Sequence, residues 1–256
     1  MFIVLIVISI IASVYWLLFK RKPAPVDNPP LPPDYKNILG SGVRFYSRLN
    51  EEQKKQFEQK LEEFLSYVRI SGVNTDVTDT DRVLVAAGAI IPIFGFPGWK
   101  YHNLREVLIY DDLFSQADFR TTGQGRDVAG MVGDGPMNGV MILSKHELRQ
   151  GFLNKTDKNN TAVHEFVHLL DKSDGATDGI PENLLDKTEI MPWVKLMHRS
   201  IEDIRKNRSD INPYGASNET EFFAVVSEYF FERPELLAQK HPELYALLQE
   251  IFDHQK

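Results

Sequence analysis

The sequence predicts an α+β domain with a small mixed sheet and a mainly helical C-terminal half, preceded by one transmembrane helix. Three observations predict it. The first 19 residues are apolar and uncharged. Short β-branched runs bounded by turn residues fall in the middle of the chain. From Ser144 onward helical patterns dominate. Helix, then strands, then helices points to segregated α+β rather than alternating βαβ units.

Residues 1–19 read MFIVLIVISIIASVYWLLF. As a helix this segment spans about 28 Å, close to the hydrocarbon thickness of a bilayer. Tyr15 and Trp16 sit near one end, where interfacial aromatics gather, and Lys20, Arg21 and Lys22 follow at once. A cleaved secretory signal carries its basic residues ahead of the apolar run and a small-residue cleavage site behind it. Here the basic cluster comes after, and no such site is visible. The expectation is an uncleaved single-pass membrane anchor over residues 1–19, with the positive-inside rule placing the C-terminal domain in the cytoplasm. Residues 20–35 form a basic, proline-rich linker whose PAPVDNPPLPP stretch reads as extended and semi-rigid. Residues 36–256 form the folded domain.

Within that domain, residues 50–68 are strongly helical. Asn50 is a candidate N-cap with acids in the first turn, and Phe57, Leu61, Phe64 and Leu65 form the apolar stripe. Residues 81–93, DRVLVAAGAIIPI, fit a buried helix and a buried strand equally well. Residues 107–110 (VLIY) and 140–143 (VMIL) read as strands. The glycine-rich TTGQGRDVAGMVGDGPMNG between them lacks GxxxxGK[ST], so it reads as hairpin turns rather than a phosphate loop.

Composition narrows function before any motif does. The 256 residues are 43% hydrophobic and 25% charged, enough for a real core. A net charge of −7 excludes a general nucleic-acid binder. The absence of cysteine excludes disulfides, thiolate metal sites and thiol nucleophiles.

The chemistry is concentrated in TAVHEFVHLL, residues 161–170. Buried polar groups are costly unless something satisfies them, yet this apolar segment carries His164, Glu165 and His168. Four helical residues advance about 400°, so the two imidazoles share a face and reach one ion. Glu165 is turned about 100° away and leans over the open side of that ion. This is HExxH, with two histidine ligands and a glutamate that polarises water, and zinc suits such a donor set.

Catalytic zinc usually takes a third protein ligand. Position 174 is an aspartate, so the histidine that marks the metzincin type is missing. His102, His146, His198, His241 and His254 lie in unrelated polar contexts and read as surface or satisfied residues. NETEFFAVVSEYFFERPELL, from Asn218, offers Glu219, Glu221 and Glu228 on an apolar helix. Glu221 and Glu228 share a face with Val225, and spacing alone leaves the choice between them open. Asp171 follows His168 by three residues on the same face. It either ties the helix end or accepts from a ligand imidazole.

HEFVHLLD, then DGATDGIP, then EFFAVVSEYFFERPELL resemble the Mlc titration factor A family of zinc-dependent peptidases, over roughly residues 35–255. The catalytic core of anthrax lethal factor is also similar, with its HEFxHxxD pattern and a tyrosine-glycine pair before an EFFA helix. The resemblance implies a zincin-like metallopeptidase fold. It makes Glu221 the third zinc ligand, leaves Glu228 in a supporting role, and makes Tyr214 the donor to the developing oxyanion. The anchor and linker depart from that family, whose first member is a soluble cytoplasmic protein that binds the glucose repressor Mlc. A transcriptional regulator is therefore a partner the resemblance allows.

The expected function is a membrane-anchored zinc peptidase acting on a peptide or protein. Zn2+ is held by His164, His168 and Glu221, with Glu165 as general base and Tyr214 at the oxyanion. The 140–143 strand is expected to serve as the edge to which an extended substrate adds. The alternative is a membrane-tethered protein that sequesters a regulator, with zinc chiefly structural.

Overall fold

The computed structural model describes residues 26, 28–117, 119–121, 126–133, 135–154 and 156–253. The expected anchor over residues 1–19 and the linker through residue 25 lie outside them. Among the described residues no helix is long and apolar enough to cross a membrane.

The linker does not stay free of the domain. The Asn28 amide donates to the carbonyls of Leu65 (2.7 Å) and Val68 (2.6 Å), at the C-terminal end of a long helix where carbonyls lack helical partners. Helices α1 (Tyr35–Gly42) and α2 (Arg44–Arg48) follow, then that long helix, α3 (Glu51–Tyr67). α3 starts at a capping box. The Asn50 side chain accepts from the Glu52 and Gln53 amides, and the Gln53 side chain accepts from the Asn50 amide. Its expected stripe of Phe57, Leu61, Phe64 and Leu65 is buried.

Strand β1 (Arg69–Val73) leads into α4 (Asp79–Ile93). Residues 81–93 are therefore helical. Thr78 and Asp81 form a second capping box that commits the segment to a helix start. The buried Asp81 carboxylate is satisfied by Arg149, at 2.7 and 3.1 Å. From Val83 onward α4 is buried on every side, the mark of a central helix. Gly88 lets α4 touch its neighbour, since a Cβ there would lie 2.6 Å from Ala162 Cβ.

The sheet adds β2 (Glu106–Tyr110), β3 (Gly130–Val132) and β4 (Val140–Ser144), in the order β1-β2-β4-β3. β1–β2 and β2–β4 are parallel, and β3 is antiparallel to β4. The parallel β1–β2 pair requires a crossover, which α4 supplies, so one βαβ unit sits inside the α+β arrangement.

The 140–143 strand is not an edge. β4 lies between β2 and β3, and its run from Met141 to Ser144 is buried. A continuous apolar strand of this kind belongs inside a sheet. The edges are β1 and β3, and β3 arises within the glycine-rich stretch expected to form hairpin turns, pairing antiparallel with β4. β3 is short and half-buried, as edges tend to be.

The rest is helical: α5 (Lys145–Leu153), α6 (Thr161–Asp171), α7 (Ile190–Arg205), α8 (Glu219–Glu232), α9 (Pro234–Lys240) and α10 (Pro242–Phe252). α6 runs through the middle, packed against α4 on one flank and α8 on another. The Phe166 ring of α6 lies 5.7 Å from Phe64 and 5.1 Å from Tyr101, which ties α6 to α3 and to the loop before β2.

Candidate metal centre and its cleft

α6 begins where the sequence gives a stop-and-start signal. Asn160 is fully buried, and its side chain accepts from the Val163 amide as an N-cap. Ala162, Val163, Phe166, Val167 and Leu170 point into the core. The 3.6-residue period then leaves His164 and His168 on the remaining face, their ring centroids 4.7 Å apart.

α8 supplies the carboxylates. Its N-cap, Asn218, accepts from the Glu221 amide at 2.8 Å and so fixes the first turn against α6. Glu221 Oε2 lies 3.0 Å from His164 Nε2 and 3.6 Å from His168 Nε2. Among the described residues these three side chains form a group that could hold a metal ion, with one atom of each within 4.8 Å of the others. Tetrahedral zinc with bonds near 2.0–2.1 Å separates its ligands by about 3.3 Å. The spacing and the His-His-carboxylate chemistry therefore fit zinc.

Glu228 takes a different place, two turns further along α8. Its Oε1 lies 2.7 Å from His164 Nδ1, the nitrogen turned away from Glu221, and its other oxygen accepts the Asn160 amide. Glu232, one turn beyond, accepts from the Asn160 side chain at 2.8 Å. A line of carboxylates thus backs the N-terminus of α6, which favours negative charge.

Burial opposes charge on His164, but Glu228 and Glu221 overcome it and hold the imidazole well above its usual pKa. Burial likewise works against the Glu221 carboxylate, yet His164 and His168 bring it down to about 2. Glu165 has fewer compensations, and desolvation pushes it up. Glu232 is pushed up to about 7 by burial.

Glu165 is only 5% exposed and faces β3. A Cβ at position 130 would lie 2.7 Å from its Oε1, so Gly130 is what allows the strand to approach. Tyr214 stands on a short 3-10 turn, Pro213–Ala216, held by the Asn212 side chain. Its ring is 6.0 Å from that of His164; the residue stays 55% exposed, and partial desolvation with the Glu221 and Glu165 carboxylates raises its pKa. Asp171 accepts the Gly179 amide at 2.9 Å, fastening the loop that passes beside the start of α8. Its other oxygen is buried with no partner, and burial raises the carboxyl to about 6.

His164, Glu165, His168, Tyr214 and Glu221 share a cleft of about 300 Å³ lined also by Gln116, Lys172, Thr177 and Thr220. Sequence reasoning did not foresee Gly130, Asn160 or Glu232. Asn160 was readable as an N-cap ahead of an apolar run. Gly130 and Glu232 matter only through contacts made across the fold. Of the other histidines, His241 pairs with Asp210 at 2.7 Å, His146 with Glu147 at 2.9 Å, and His198 lies 3.4 Å from Glu219.

Residues 17–253 match the family described as Glucose-regulated metallo-peptidase M90. The protein slr2042 of Synechocystis sp. is 30% identical over 270 residues, covering 96% of this chain and 94% of its own. Mlc titration factor A of Escherichia fergusonii is 28% identical over 238 residues, covering 86% of this chain and 83% of its own. Mlc titration factor A of Pectobacterium atrosepticum is 25% identical over 221 residues, 80% of each chain.

Proposed function

The chain belongs to the glucose-regulated metallo-peptidase M90 family, alongside the Mlc titration factor A proteins, and from that premise we propose a zincin-like, zinc-dependent peptidase. The observation that carries the proposal is the convergence of His164, His168 and Glu221 beside the buried carboxyl of Glu165. When bound, zinc supplies Lewis acidity that activates water and polarises the peptide carbonyl.

The protein's own groups do the rest. Glu165 takes a proton from the attacking water and passes it to the departing amine, a role its buried place beside the ligand set supports. Tyr214 donates its hydroxyl to the carbonyl oxygen as that oxygen gains charge. Glu228 accepts from His164 Nδ1, which leaves Nε2 free to ligate. The outer edge of β3 offers backbone groups to an extended substrate.

The test is Glu165→Gln. It should keep fold and zinc content while peptide hydrolysis drops roughly 10²–10⁴-fold. Equal cleavage by the variant and the wild type would refute the mechanism.

The relatives' name, titration factor, supports a second reading: a tethered binder of a regulator, with zinc as a structural element. A purely structural site leaves Glu165 and Tyr214 without a task. A Glu165→Gln chain that retains full activity in cells, from a wild type that cleaves nothing, would favour the binder. The apolar residues 1–19 and the basic cluster behind them support a single-pass anchor with the domain in the cytoplasm. A reporter fused after Lys256 should then be active in the cytoplasm, and the mature chain should keep its first residues.

A further inference from the structure

A second cavity, of about 380 Å³, opens beside the metal cleft. That volume is within the range of roughly 300–1,000 Å³ typical of ligand pockets. Val132 and Lys172 line both hollows, so the two adjoin. The chemistry proposed above makes no use of this cavity.

Its walls are preformed. The Tyr101 hydroxyl donates to the Ala89 carbonyl at 2.9 Å, and its ring packs on Phe166. Trp99 packs on Phe96 with centroids 5.7 Å apart. Leu104, Val140 and Leu169 add apolar surface, while His102, Asn103, Asn138 and Ser173 add polar groups. Among the described lining residues none is a carboxylate, and Lys100 on the rim is paired with Glu63 at 2.6 Å. A lysine or arginine side chain would find no carboxylate among those described lining residues to pair with.

We propose that this cavity receives a large apolar or aromatic side chain of the substrate, from one of the two residues preceding the scissile bond. The proposal rests on the peptidase reading. Strand direction decides the side. β3 starts at Gly130, against Glu165, and runs to Val132 at the junction, with Gly133 lining the cavity. Among the described residues its outer edge is unpaired. A substrate that adds antiparallel, the slightly more stable ladder, runs the opposite way. It passes the cavity first and Glu165 afterwards. The residue in the cavity therefore lies N-terminal to the bond that breaks.

The experiment is digestion of a mixed-sequence peptide library by the full-length zinc-loaded chain, with cleavage sites read by mass spectrometry. Phe, Tyr, Trp or Leu should be enriched at least about tenfold over Lys and Arg in one of those two positions, the scale of burying an aromatic ring. Asn103→Trp, an exposed position on the rim, should narrow the cavity. It should lower kcat/KM for a Phe substrate about tenfold relative to its Ala analogue, with zinc content unchanged. Trp99→Ala should shift the preference in the same assay. Cleavage with no such preference, a preference on the C-terminal side, or unchanged selectivity in both variants overturns the subsite alone. A zinc-loaded wild type that cleaves nothing overturns the peptidase reading and the subsite with it.

Discussion

Gly130→Ala probes the contact between the sheet edge and the general base. The new Cβ would lie 2.7 Å from both Cγ and Oε1 of Glu165 and 2.9 Å from its Cδ. Ordinary contact between such atoms begins near 3.5 Å, so about 0.8 Å of displacement is needed. The Glu165 side chain is 5% exposed and has little room to withdraw. Either the carboxyl or the strand moves, and both bear on the reaction. A misplacement of about 1 Å near the chemistry costs roughly 10²-fold in rate. Overpacking of this kind costs about 1–3 kcal/mol, or roughly 2–12 °C in Tm for a domain of this size. The assay is kcat on a fluorogenic peptide, alongside zinc content and a thermal melt. The expected result is a rate near one hundredth of wild type, full zinc, and a lower Tm. In a Glu165→Gln background the same change should remove little further rate, since both act through one group. A Gly130→Ala protein with wild-type kcat and Tm would show that β3 does not press on a catalytic carboxyl.

Further perturbations address the groups behind the site. His164→Ala, His168→Ala and Glu221→Ala should each lose stoichiometric zinc after dialysis, while Glu228→Ala should bind zinc about 10–100-fold more weakly, by competition with a chelator. If Glu228→Ala abolished binding and Glu221→Ala did not, the ligand set would be wrong. Glu232 should make stability depend on pH. Its folded pKa of about 7 lies above the ordinary 4.5, so the folded state holds a proton that the unfolded state releases. Stability should then fall as pH rises from 4.5 to 7, by on the order of 3 kcal/mol. Glu232→Gln should flatten that slope in denaturant titrations, and an unchanged slope would count against a buried, proton-binding carboxyl.

Much of the site was legible locally because a helix turns its period into proximity. His164 and His168 meet because they are four residues apart, whatever the helix packs against. Asn50 capped the long helix as its sequence indicates, and the stripe from Phe57 to Leu65 was buried as its spacing requires. Residues 81–93 were ambiguous because an all-apolar run carries no period. The capping box of Thr78 and Asp81, together with the salt bridge to Arg149, accounts for the helix.

The amino-acid sequence determined by itself the chemistry at hand: two imidazoles and a carboxylate on one helical turn, a second acidic helix, and no thiol. Only the tertiary structure decided how these meet. Periodicity put Glu221 and Glu228 on one face of α8, but the way α8 packs against α6 turns Glu221 to both Nε2 atoms and Glu228 to the far nitrogen of His164. It also decided that β4 is interior and that a glycine-rich stretch provides the edge beside it. Strand order and helix packing depend on which distant surfaces bury each other, and such long-range burial leaves no period in the local sequence to read.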